Sequence, residues 1–232
     1  MTKRLANWLK RDGLVMLLYA LTLTIMTYPL LFQLADIIPL SNPDTYPAIY
    51  QNWWIREALL QGYGINQSPL LFYPQGFDVT LQPRRFTIFP LWFMLYELFG
   101  EPTAFNLLAV IEIWVKAYAM YLFLMVIVDH RVGAWIGGAL FAFTARNLSL
   151  ALQQPDTGAI EFIPIFMFVF ASLMHRLKSD KPLSARLWLV WLAIAVLAYS
   201  ANVYMNLKIG VFAALVGGIY IAWILIFDGY WK

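Results

Sequence analysis

The chain has 232 residues, 62% of them hydrophobic and only 12% charged, with a formal net charge of +3 and no cysteine. This composition excludes a water-soluble globular domain, and the small charge argues against nucleic-acid binding. The absence of cysteine excludes disulfides, thiolate metal sites and cysteine nucleophiles.

Six apolar stretches follow one another along the chain: Leu14–Leu34, Phe105–Val128, Val132–Phe143, Ile160–Leu173, Leu187–Ala201 and Ile209–Phe227. About 20 apolar residues make a helix roughly 30 Å long, the thickness of bilayer hydrocarbon. The predicted fold is an all-α polytopic membrane protein. It has about six transmembrane helices, plus interfacial helices in a long first outer loop. Residues 1–232 form a single transmembrane domain. The first stretch is too long for a signal-peptide core and lacks a small-residue cleavage site after it, so it reads as a retained helix. The second contains Glu112 and Lys116, four residues apart with Glu first, the favourable order for a helical ion pair. Their spacing predicts a buried pair facing the bundle, because ionisable groups at membrane depth avoid lipid.

Lys3, Arg4, Lys10 and Arg11 precede the first helix. His175, Arg176, Lys178, Lys181 and Arg186 lie between the fourth and fifth. By the positive-inside rule both clusters, and with them the N-terminus, are cytoplasmic in the plasma (inner) membrane. An even number of crossings must then separate them. Phe86–Phe99, about 14 residues long, therefore lies at the interface or re-enters. The segment from Asp36 to about Glu101, the loop Arg146–Ile160 and the turn near Asn206 fall on the outer face.

About 50 residues separate the first helix from Phe86, far more than a simple connection needs. Asn42-Pro43-Asp44 signals a helix start, Thr45–Gln61 reads as a helix, and Gly62 as its stop. On it Tyr46, Ile49, Tyr50, Trp53 and Trp54 share one side, and Thr45, Asn52 and Arg56 another. That pattern predicts an interfacial amphipathic helix with its rings at headgroup level. Tyr73-Pro74-Gln75-Gly76 reads as a turn. Gln82-Pro83-Arg84-Arg85 is a second polar break before the apolar piece.

Two readings of Asp44 follow from its position. A carboxylate at a helix start just outside the membrane can be a general base towards an acceptor hydroxyl. It can equally be an N-cap. Arg56, Arg84 and Arg85 carry the guanidinium groups that bind phosphate bidentately, or that meet lipid headgroups. Asp156 and Glu161 at the next outer loop can orient an acceptor, or can serve the dipole of the fourth helix. Two carboxylates are too few to name a metal.

In this order the motifs resemble the GT-C superfamily of membrane glycosyltransferases. The resemblance rests on a first helix leading to Asp44, on Trp53-Trp54-Ile55-Arg56 and on Tyr73-Pro74-Gln75-Gly76. A Phe-Ala-Phe-Thr run at Phe141–Thr144 and a Pro-containing helix at Pro164 complete it. It covers about residues 14 to 205. It implies transfer of a sugar from a polyprenyl-phosphate carrier on the outer face, with inversion. Asp44 then activates the acceptor, with Asp36 as runner-up, and Trp53, Trp54, Arg56, Arg84, Arg85, Asp156 and Glu161 bind substrate. Family members usually carry more helices and often a soluble C-terminal domain. On that pattern the chain corresponds to the N-terminal transmembrane part of a longer protein, to half of a split enzyme, or to a degenerate relative. The competing reading is a non-catalytic transmembrane subunit of a larger complex. A transporter is a third, without a visible internal repeat to support it. Expected partners are membrane lipids, a polyprenyl-phosphate sugar and a protein subunit, with no nucleic acid. No cofactor or metal is assigned.

Overall fold

The structure is a computed structural model. It describes residues 2–39, 43, 45–80, 85–177, 184–205 and 207–227. The protein is an all-α integral membrane protein. Its helices are α1 (Thr2–Met26), α2 (Thr45–Gln61), α3 (Phe89–Phe99), α4 (Thr103–Val128), α5 (Arg131–Ala142), α6 (Ala145–Gln153), α7 (Pro155–Gly158), α8 (Phe162–Leu177), α9 (Ala185–Met205) and α10 (Leu207–Phe227). Three segments are long and apolar enough to cross a membrane: Thr103–Val128, Pro155–His175 and Ala185–Met205. The apolar parts of α1 and α10, Asp12–Met26 and Leu207–Trp223, are shorter.

Local chemistry sets the boundaries. Pro90 opens α3, and Gly100, at φ 68°, ends it in a conformation that favours glycine. Asp129, at φ 49°, stops α4. His130 then caps α5 by accepting the Gly133 amide. Thr144 caps α6 by accepting the Asn147 amide.

Two ends of the bundle can be told apart. At the near end Asp12, Asp129, Arg131, His175 and Trp191 line one cavity. At the far end the Asn106 amide donates to the carbonyls of Leu34 and Ile37. There Met205 packs with Ile88, Trp92, Ala104 and Ala159. The chain therefore runs from end to end six times, through α1, α4, α5 with α6, α8, α9 and α10. The third passage is broken. Val132–Phe143 yields a helix of only 12 residues, roughly 18 Å, and α6 continues the passage after the Thr144 cap. The 11 residues of α3 reach about 16 Å, too short to span the hydrocarbon.

α4 is the central helix. Ile113, Ala117 and Tyr121 pack with Tyr19 and Leu23 of α1, Ala134 and Ala142 of α5, and Leu148 and Ala151 of α6. The approach at Gly138 is close. A Cβ there would stand 2.6 Å from the Ala117 carbonyl and 2.2 Å from the Tyr19 hydroxyl. On α10 the glycines are less constrained, since a Cβ at Gly217 makes only ordinary contact and one at Gly218 meets open space.

The long first loop is a folded cap with its own core. α2 packs Trp54 and Ala58 against Val79, Ile65 and Phe77. Its buried positions come from both expected sides, Thr45 and Asn52 from the polar one and Trp54 from the aromatic one, whereas Tyr46 is exposed. The polar side turns inward because the bundle supplies partners, and the Thr45 hydroxyl donates to the Gln153 carbonyl at 2.7 Å. A short antiparallel hairpin, β1 (Gln67–Ser68) with β2 (Phe77–Asp78), completes the cap. The connecting turn sits one residue earlier than expected, with the Gln75 amide donating to the Phe72 carbonyl. Gly76, at φ 73°, follows it. A Cβ there would stand 3.1 Å from the Ser68 carbonyl.

Candidate functional site

The far end holds a cluster of buried charges. Arg85, Glu112, Lys116 and Glu161 are 5%, 4%, 1% and 2% exposed. They come from three places in the chain. Arg85 starts the turn into α3, and its carbonyl accepts the Ile88 and Phe89 amides. Glu112 and Lys116 are one helical turn apart on α4. Glu161 immediately precedes α8 and follows α7. The fold of α7 against α6 needs Gly158, where a Cβ would fall 2.7 Å from the Leu150 carbonyl and the Ala151 nitrogen.

The pairing within the cluster corrects the sequence expectation. Glu112 and Lys116 do face the bundle, but each pairs with another residue. The Arg85 guanidinium donates to the Glu112 carboxylate. Lys116 Nζ lies 3.9 Å from Glu161 Oε2, an ion pair without a hydrogen bond. Arg85 donates a charge-assisted hydrogen bond to Glu112, whereas Lys116, on the same helix as Glu112, has no hydrogen-bond partner among the described residues and lies nearest Glu161. Burial pulls the Arg85 guanidinium down, and the Glu112 carboxylate, with Glu161 and Asp156 behind it, raises it overall.

The cluster is under-bonded. Among the described residues Lys116 Nζ, both Glu161 carboxylate oxygens and Arg85 Nε have no hydrogen-bond partner. Buried polar groups are nearly always satisfied, so these atoms have hydrogen-bonding capacity left over for water or another polar group.

The residues expected to bind substrate are divided among three places. Arg85 and Glu161 are in the cluster, and the charge of half-buried Asp156 acts on Arg85. Trp53 and Trp54 belong to the cap. Trp54 is buried and donates its indole N–H to the Ile65 carbonyl at 3.2 Å. Trp53 is half-buried and lines a cavity of about 610 Å³ with Pro74, Gln75 and Gly76. Arg56 is committed elsewhere. Its Nε lies 2.7 Å from Glu97, its Nη1 2.6 Å from Glu57, and its guanidinium carbon 4.9 Å from the centre of the Tyr96 ring. Asp44 and Arg84 lie outside the described residues. Thr45, next to Asp44, ties the start of α2 to the end of α6.

Sequence reasoning singled out Glu112 and Lys116 as a structural pair and left them out of the site. Their signal was their depth in an apolar helix. It missed Asp12, which is 1% exposed and takes the hydroxyls of Tyr118 and Tyr121 at 3.3 and 3.4 Å. No protein-family model, curated protein or solved structure matches this chain.

Proposed function

We propose that the protein is a GT-C-type glycosyltransferase taking its sugar from a polyprenyl-phosphate donor on the outer face of the inner membrane, its N-terminus in the cytoplasm. The observation that carries this reading is the buried, under-bonded cluster of Arg85, Glu112, Lys116 and Glu161 beneath the cap. A buried ion pair adds little stability over apolar residues of similar volume. Ionisable groups inside a membrane protein therefore point to function. Lys116 offers three N–H donors and Arg85 a free Nε–H, a set that suits the oxygens of a phosphate.

In this mechanism the Asp44 carboxylate takes the proton of an acceptor hydroxyl. The hydroxyl oxygen attacks the anomeric carbon from the face opposite the phosphate. The glycosidic C–O bond to the phosphate breaks, inverting the sugar, and the polyprenyl phosphate leaves with the electron pair. Lys116 and Arg85 stabilise the charge developing on that phosphate, an effect strengthened by the dry surroundings.

The test is transfer of a radiolabelled sugar from polyprenyl-phosphate donors by the protein in nanodiscs. The expected result is transfer by the unaltered chain and a loss of roughly 10²–10⁴ in Asp44→Asn, the range for a missing general base. Undiminished transfer in Asp44→Asn removes the mechanism. No transfer by the unaltered chain, together with a stoichiometric partner on purification, favours the non-catalytic subunit.

A further inference from the structure

The cap cavity has a different chemistry from the charge cluster, and we infer that it is a binding site for a neutral carbohydrate. Trp53 and Tyr63 form its aromatic walls, and Gln67 and Gln75 its polar rim. Its volume of about 610 Å³ falls in the range of small-molecule sites, about 300–1,000 Å³.

Charge narrows the ligand. Among the described residues the lining contains no lysine or arginine to meet an anion. Its one carboxylate, Glu57, is already engaged: Arg56 Nη1 holds Oε1 at 2.6 Å, and Gln61 Nε2 donates to Oε2 at 3.1 Å. A cationic ligand would compete with that guanidinium. What the cavity offers is aromatic faces beside side-chain amides that both donate and accept. A sugar presents the matching surfaces, with C–H faces for the rings and hydroxyls for the amides.

Hydrogen bonds and ring contacts within the cap hold the lining in place. Trp54 forms its floor and is fixed by its bond to the Ile65 carbonyl. Tyr50 is hydrogen-bonded to Ser68 behind β1, and the Val79 amide donates to the Asn66 carbonyl. Phe72 packs on Phe77 across the turn at 5.2 Å. A preformed site keeps the ordering cost of binding small. The inference stands apart from the transferase reading, because a carbohydrate can dock here whether or not the chain transfers sugar.

Saturation-transfer NMR on the full chain in nanodiscs tests it. The probes are methyl glucoside, methyl mannoside and N-acetylglucosamine, with glycerol phosphate as the anionic comparison. At least one neutral sugar should give a saturable signal. Trp53→Ala should weaken it roughly tenfold by removing an aromatic wall, and the surface change Gln75→Ala should weaken it with the fold intact by circular dichroism. Lys116→Met should leave it unchanged, which separates this site from the phosphate cluster. Overturning results are no sugar signal, a signal unchanged in both cap variants, or a stronger saturable signal from glycerol phosphate, which would assign the cavity to lipid headgroups.

Discussion

Arg85→Met separates the two ion pairs of the cluster. It leaves Glu112, 4% exposed, without the guanidinium that donates to it. Stranding one member of a buried, hydrogen-bonded pair costs about 3–5 kcal/mol. Lys116→Met removes a partner that stands 3.9 Å from Glu161 and makes no hydrogen bond. That leaves Glu161, 2% exposed, without its cation, so the cost should be of the same order, about 3–5 kcal/mol. In the double variant Arg85→Met with Glu112→Leu no charge is stranded, and stability should return to within about 1 kcal/mol of the unaltered chain. Unfolding in mixed micelles, titrated with a denaturing detergent and followed by near-UV circular dichroism, measures all three. A double variant as unstable as Arg85→Met would refute the pairing.

Four further outcomes are expected. Gly138→Ala should destabilise by about 1–3 kcal/mol, since its methyl meets the Ala117 carbonyl and the Tyr19 hydroxyl; Gly218→Ala in the same unfolding assay should change little. Asn106→Ala should cost about 1–3 kcal/mol by leaving the Leu34 and Ile37 carbonyls without their donor, and limited proteolysis between α1 and α2 should accelerate. Burial raises the Glu101 carboxyl above its ordinary value, outweighing the N–H groups of Trp92 and Phe105 that donate to it. The folded state therefore holds this proton more tightly, and the contribution is present in acid and lost as the pH rises through the raised value. Glu101→Gln should flatten the pH dependence of the unfolding midpoint in that window, and an unchanged profile would exclude Glu101 as its source. Finally, Ser184→Cys and Thr80→Cys, introduced singly into a chain with no native cysteine, should label from opposite sides of the membrane. Labelling of both from one side contradicts six passages.

The passages of the chain were legible in its sequence because each needs only length and apolarity. α2 appeared from Thr45 to Gln61 because Pro43 and Gly62 mark its ends. What sequence could not supply was the partner of each polar group. Four-residue spacing put Glu112 beside Lys116, but an arginine 27 residues upstream competed better for the carboxylate. The burial of Thr45 has a related cause: it looks like a solvent-facing residue until another element, here the end of α6, comes to meet it. The break in the third passage follows from Thr144, whose capping oxygen starts a new helix directly after the apolar run ends at Phe143. The hairpin escaped notice because strands of two residues carry no readable period. At the candidate site, Arg85 and Glu161 were recognised by type, and their depth became visible only with the fold. Arg56 had the right chemistry for phosphate, but Glu57, Glu97 and Tyr96 already occupy it.

The phosphate site at the cluster is tested most directly by ligand-dependent unfolding of the protein in nanodiscs with polyprenyl phosphate. A ligand that binds only the folded state at a hundred times its Kd adds about 2.7 kcal/mol. The expected result is a concentration-dependent rise in Tm for the unaltered chain and for Arg56→Ala, and none for Lys116→Met. A rise that survives Lys116→Met, or no rise in the unaltered chain, would contradict a phosphate site built on Arg85 and Lys116.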